Sequence, residues 1–119
     1  MRYVAQMFTI PDATRAMAPE QIEAVKRRHE ELVKELTASG ELLGGCGLVL
    51  PDETTVLRLD SDGGVVSSRG PLVDAAEHLT AYYELDCDGP DRAAAIAARL
   101  LDDHVPAVEV RAVHDWVGR

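Results

Sequence analysis

The chain has only two cysteines in 119 residues, no long apolar run, and too few lysines and arginines to balance its acids. Each shortage excludes something. Cys46 and Cys87 form no CxxC pair, which argues against a zinc or redox motif and leaves two free thiols as the simplest reading. A membrane-spanning helix needs roughly 20 consecutive apolar residues, and no segment approaches that length. With 12 basic and 21 acidic side chains the formal net charge is −9. That removes the diffuse attraction for phosphate backbones on which nucleic-acid binding rests, and it disfavours anionic membranes. No nucleotide or flavin fingerprint is visible, so no cofactor is expected. The opening MRYVAQMFTI alternates and lacks a basic region ahead of a long apolar run, so it reads as a first strand and not as a signal peptide. The expected location is cytoplasmic.

What is present fits one soluble domain over residues 1–119, with 46% apolar and 28% charged residues. Residues 3 to 10 read as a strand, with Tyr3, Ala5 and Met7 on one side and Val4, Phe8 and Ile10 on the other. Pro11-Asp12 is expected to begin a loop. Pro19-Glu20 opens a helix that should run to Ser39 and stop at Gly40. Its apolar stripe is Ile22, Val25, Leu32, Val33 and Leu36, interrupted by His29. Glu41 to Leu50 reads as a second strand, whose three glycines point to a bulge or a close backbone approach. Thr54–Asp60 and Val65–Arg69 flank SDGG, a hairpin signal. A strand from Leu79 to Asp86 follows, with Leu79, Ala81, Tyr83 and Leu85 on one face and Thr80, Tyr82 and Glu84 on the other. The adjacent tyrosines are thereby assigned to opposite faces. Pro90-Asp91 starts a second helix with a stripe of Ala93, Ile96, Ala97, Leu100 and Leu101, and residues 105 to 113 form a last strand.

The order is β-α-β-β-β-β-α-β. Two helices joining strands, with an antiparallel hairpin between them, predict an α+β, ferredoxin-like sandwich with both helices on one face of an antiparallel sheet. The other sheet face would expose apolar residues such as Tyr3 or Val4, Thr55 or Val56, and one tyrosine. Such a face calls for a partner, most simply a second copy of the chain.

The stretch RGPLVDAAEHLTAYYELD, with GELLGGCGL upstream and VEVRAV downstream, resembles the YCII-related family, in particular its DGPF-motif branch. Gly70, Pro71 and Glu77 match the branch motif; Arg69 stands at its Asp, Leu72 at its Phe, and Thr80-Ala81 where two glycines are usual. The resemblance implies a homodimeric α+β barrel made from two ferredoxin-like sheets packed face to face. It also implies a catalytic pair: a histidine eleven residues before the glycine that ends the first helix, here His29, and an aspartate near the end of the second helix, here Asp102 or Asp103.

Imidazole titrates near neutrality, so His29 could move a proton once a neighbouring group fixes one ring nitrogen. If Tyr83 faces the helices, its hydroxyl could reach His29, leaving Tyr82 for the subunit interface. A metal reading of His29, Asp102, Asp103 and His104 finds no diagnostic ligand spacing, so no metal is assigned. Cys46 has nothing basic beside it in sequence and reads as an inert thiol. His114-Asp115 is discounted as a dyad because neighbours on a strand diverge. Two functional readings stay open. One is an acid-base protein acting on a small organic ligand by elimination or isomerisation; the other is a non-catalytic sensing or interaction module linked to transcription regulation through a protein partner.

Overall fold

The computed structural model describes residues 1–118. The chain opens with β1 (Arg2–Thr9), whose alternate residues Tyr3, Ala5, Met7 and Thr9 are buried. A short helix α1 (Pro11–Arg15) stands where a loop was expected. Pro11 occupies the first turn, where a missing N–H costs nothing, and Arg15 pairs with Asp12 three residues back at 3.0 Å. The long helix α2 (Pro19–Ser39) ends at Gly40, whose φ of 78° is the left-handed conformation that glycine adopts without strain. The Glu41 N–H then returns to the Leu36 carbonyl at 2.9 Å. Of the expected α2 stripe only Leu32 and Leu36 are buried; Ile22 and Val33 are exposed.

Strand β2 (Leu42–Gly47) is followed by a 3-10 turn at Pro51–Glu53, then by β3 (Thr55–Leu59), β4 (Val65–Arg69) and β5 (His78–Asp86). Helix α3 (Pro90–Ala98) leads to β6 (Ala107–Ala112). Four strands form one sheet in the order β2-β5-β1-β6, every neighbour antiparallel. The fold is thus α+β, consistent with a ferredoxin-like arrangement. The β3–β4 hairpin forms a separate two-stranded sheet, for a simple reason: both edges of β5 are already occupied, by β1 and by β2. Thr55 and Val56 therefore lie off the main sheet. Asp60 closes the hairpin turn by accepting from the N–H groups of Asp62 and Gly64 at 2.9 and 2.8 Å.

One core cluster joins Tyr3, Ala5, Met7 and Leu85 of the sheet to Leu32 and Leu36 of α2 and to Ala93, Ile96 and Ala97 of α3. Helices α2 and α3 thus cover the same face. Arg99, just past α3, meets Glu35 near the end of α2 through two bonds of 2.8 Å, and Arg92 in the first turn of α3 meets Glu41 just past α2 through bonds of 2.8 and 2.7 Å. The opposite sheet face bears Val4, Phe8 and Tyr82, all partly exposed, together with Gln6, Glu84 and Glu109. No helix among the described residues is long and apolar enough to cross a membrane.

Candidate functional site

Between α2 and the β2–β5 side of the sheet lies an open cleft of about 550 Å³, a size ordinary for small-ligand sites. His29, on the polar break in the α2 stripe, lines it half-buried. Tyr83 comes from the facing strand, and its hydroxyl lies 2.8 Å from His29 Nδ1, with ring centroids 6.0 Å apart. Period-two alternation along β5 aims Tyr83 at the helices, while Tyr82 opposes Gln6 on the other face. Gly45 makes room for the pair. It stands opposite Tyr83, and a Cβ there would come within 2.6 Å of the Tyr82 carbonyl and 2.9 Å of Tyr83 Cδ1. The glycines of ELLGGCGL thus serve, at this position, a close approach to the Tyr83 side chain.

The aspartates are placed differently. Asp102 is bound by the Arg28 guanidinium and by the Asp103 N–H, and its Oδ2 lies 3.5 Å from His104 Nδ1. Neither Asp102 nor Asp103 hydrogen-bonds to His29, and the group that orients its ring is the Tyr83 phenol. Asp102 acts on His29 only through its field. Burial lowers the His29 pKa from its ordinary 6.5; the charges of Arg28 and His104 push the same way, and Asp102 opposes them. The imidazole is therefore neutral at pH 7. Burial also raises the Tyr83 pKa, so the phenol keeps its proton. For Asp102, burial raises the carboxyl pKa, but Arg28 and the Asp103 N–H outweigh it and leave it below the ordinary value.

With Nδ1 engaged by Tyr83, Nε2 makes no hydrogen bond among the described residues. Two tautomers satisfy the pair. In one, Tyr83 donates to Nδ1 and Nε2 carries the ring proton. In the other, Nδ1–H donates to the phenol oxygen, Nε2 offers its lone pair, and the Tyr83 O–H is free for a ligand.

A second polar pair lies deeper along the same wall. Thr9, the buried polar residue on β1, bonds to Thr80 with 3.0 Å between their hydroxyl oxygens. Strict alternation places Thr80 on the outer face with Tyr82, and the structure corrects this. The β1–β5 register shifts between Met7 and Phe8, so that Met7 opposes Ala81 and Phe8 opposes Leu79. Thr80 is the extra residue of that bulge and is turned into the cleft. No turn residue in HLTAYY marks the bulge. Arg28 was equally silent in the sequence, since a charged residue on a helix reads as solvated until its partner is known.

The His114–Asp115 pair sits apart. His114 Nε2 and Asp115 Oδ2 are 3.8 Å apart beyond β6, and both side chains are almost fully exposed. Cys46, exposed and opposite Tyr82, lines the cleft beside Gly45, whereas Cys87 is buried; neither thiol is in a disulfide. Among the described residues, no three His, Cys, Asp or Glu side chains converge in a way that could hold a metal ion. Comparison with protein families and with curated proteins finds no match for this chain.

Proposed function

We propose that the protein acts on a small organic molecule in the His29 cleft, with His29 as acid or base and Tyr83 as its partner. One observation supports this above the rest: a neutral imidazole lines an open cleft with one nitrogen held by a phenol and the other unpartnered. A histidine that served only packing would be sealed against its neighbours. In this reading Nε2 takes a proton from carbon next to a carbonyl, Nδ1–H rests on the Tyr83 oxygen, and the Tyr83 O–H supports the negative charge that develops on the carbonyl oxygen. Elimination or isomerisation would follow from the same step. Asp102 with Arg28 tunes the pKa of the base.

Solvent deuterium exchange tests this without knowledge of the natural substrate. A panel of ketones incubated in D2O should gain deuterium next to the carbonyl in the presence of the protein. His29→Asn should lower that rate by about 100-fold or more, the scale of a lost general base. Exchange that persists in His29→Asn would remove the reading.

The sheet order and the position of His29 support membership of the YCII-related family, and with it a homodimer in which two sheets pack into an α+β barrel. Val4, Phe8 and Tyr82 supply apolar surface for such a contact. The hairpin adds Leu57, Leu59 and Val65, exposed to 65%, 77% and 68%. The same hairpin favours the second reading, a sensing or interaction module that reaches the transcription machinery through a protein. That module would bind its ligand in the cleft yet exchange no deuterium. Free thiols and the absence of a spanning helix among the described residues are compatible with a cytoplasmic setting.

A further inference from the structure

The composition of the cleft wall restricts what can occupy it. None of its lining residues is Asp, Glu, Lys or Arg, although 28% of the chain is charged. Arg28, one residue from His29, is held by Asp102 and lines a neighbouring cavity instead. His104 Nδ1 faces Asp102. A carboxylate or phosphate entering the cleft would lose hydration and meet no fixed cation, and an ammonium would meet no carboxylate. The remaining wall is mostly apolar, with Met7, Leu48, Leu50, Ala81 and Val105 among its residues.

The polar groups that do line it are spaced apart. The two threonine hydroxyls have two protons between them; one is spent on their mutual bond, and the other has no acceptor among the described residues. It is available to an oxygen on a ligand. Thr80 and Tyr83 are three residues apart on β5, which at about 3.3 Å per residue is roughly 10 Å. The bulge that turns Thr80 inward is a local departure from regular pairing of the kind that re-aims side chains beside binding sites.

We propose that the cleft takes an uncharged, mainly apolar, elongated molecule whose reacting end meets His29 and Tyr83 and whose far end places an acceptor oxygen on the Thr9–Thr80 hydroxyl pair. The ligand class is that of neutral keto-esters, keto-amides or diketones. Thr80 is a specificity-determining residue in this arrangement, not a catalytic one. The inference rests on the proposed function of the cleft and adds the chemistry of what it accepts.

Three probes of matched skeleton decide it: methyl 7-oxooctanoate, the 7-oxooctanoate anion, and 2-octanone, each titrated at pH 7.5 while backbone amide resonances of β5 and the His29 ring protons are followed by NMR. The ester should bind about fivefold more tightly than 2-octanone and at least tenfold more tightly than the anion. Thr80→Val should erase the advantage of the ester over 2-octanone, and Thr80→Ser, which keeps the hydroxyl, should retain it. An anion that binds as well as the ester, or an ester advantage that survives Thr80→Val, overturns the ligand class while leaving the cleft as the site. If Thr80→Val does not fold, the order of the three probes on the unaltered chain still decides. Absence of any cleft resonance shift with all three overturns the ligand class and the proposed site together.

Discussion

At the scale of single residues, the imidazole–phenol pair sets the pH behaviour. Because the folded chain holds the His29 pKa below 6.5, the unfolded chain binds a proton first as the pH falls. The sign follows from linkage: the neutral-histidine contribution to stability is full above the unfolded pKa and is lost as pH drops through that value toward the lower folded one. Exchange catalysed by the neutral ring should therefore decline on the acid side with an apparent pKa under 6.5. Replacing Arg28 removes a charge that lowers this pKa and frees Asp102, which raises it, so Arg28→Met should move the acid limb upward. A ring-proton titration by NMR reads the same shift directly. Gly45→Ala should cost about 1–3 kcal/mol, the usual price of overpacking, and should displace Tyr83, visible as a lower urea midpoint and an altered His29 ring shift. His29 was legible in the sequence because a polar residue broke an apolar helical stripe; strand alternation put Tyr82 and Tyr83 on opposite faces but left open which of them meets the helices. The partner of Asp102 was not legible. Nothing in RRHE or LDDH says which of several nearby cations and anions will meet once α2 and the end of α3 are packed.

The elements themselves followed period and punctuation. The apolar alternation of β1, the proline start and glycine stop of α2, and the Asp-Gly turn of the hairpin each have a local cause, and each was readable. Departures arise where a distant element decides. The β5 bulge depends on how β1 pairs with it, and the hairpin stands apart from the main sheet because β2 has taken its place beside β5. Helix α3 is short and is held to the α2 end by the Arg92–Glu41 pair, which lowers the Glu41 pKa to about 2 through its hydrogen bonds to Arg92 and Ser39. A carboxyl with a depressed folded pKa stabilises the fold above its unfolded pKa near 4.5, and that contribution is lost as pH falls toward 2. The melting temperature of Arg92→Met should thus lie below that of the unaltered chain at pH 6, and the gap should close by pH 2 to 3. Because the Arg92 side chain is exposed while that of Glu41 is mostly covered, high salt should narrow the gap only in part.

For the whole molecule, the radius of gyration of 16.3 Å exceeds the roughly 13.5 Å expected of a compact chain of this length. The extents of 50 × 39 × 21 Å describe a flat body, and the β3–β4 hairpin is an arm only in the sense that it pairs with no strand of the main sheet. An isolated two-stranded hairpin is marginal in water, so an arm with Leu57, Leu59 and Val65 on its surface gains most from a second copy. Light scattering after size exclusion should give twice the mass of one chain, and Phe8→Asp, on the outer sheet face, should shift it toward a monomer. A monomeric unaltered chain would remove the barrel. The paired tyrosines have a further consequence for assembly of the sheet. A slip of β5 by one residue moves every side chain to the opposite face, yet in the direction that carries Tyr82 into the place of Tyr83 it replaces a phenol with a phenol there. At the cleft position the doublet therefore conveys no information about register. That information resides in the next two residues, where the same slip would drive the Glu84 carboxylate into the fully enclosed site of Leu85. Glu84 and Leu85, which touch no ligand, are what keep the correct tyrosine in the cleft.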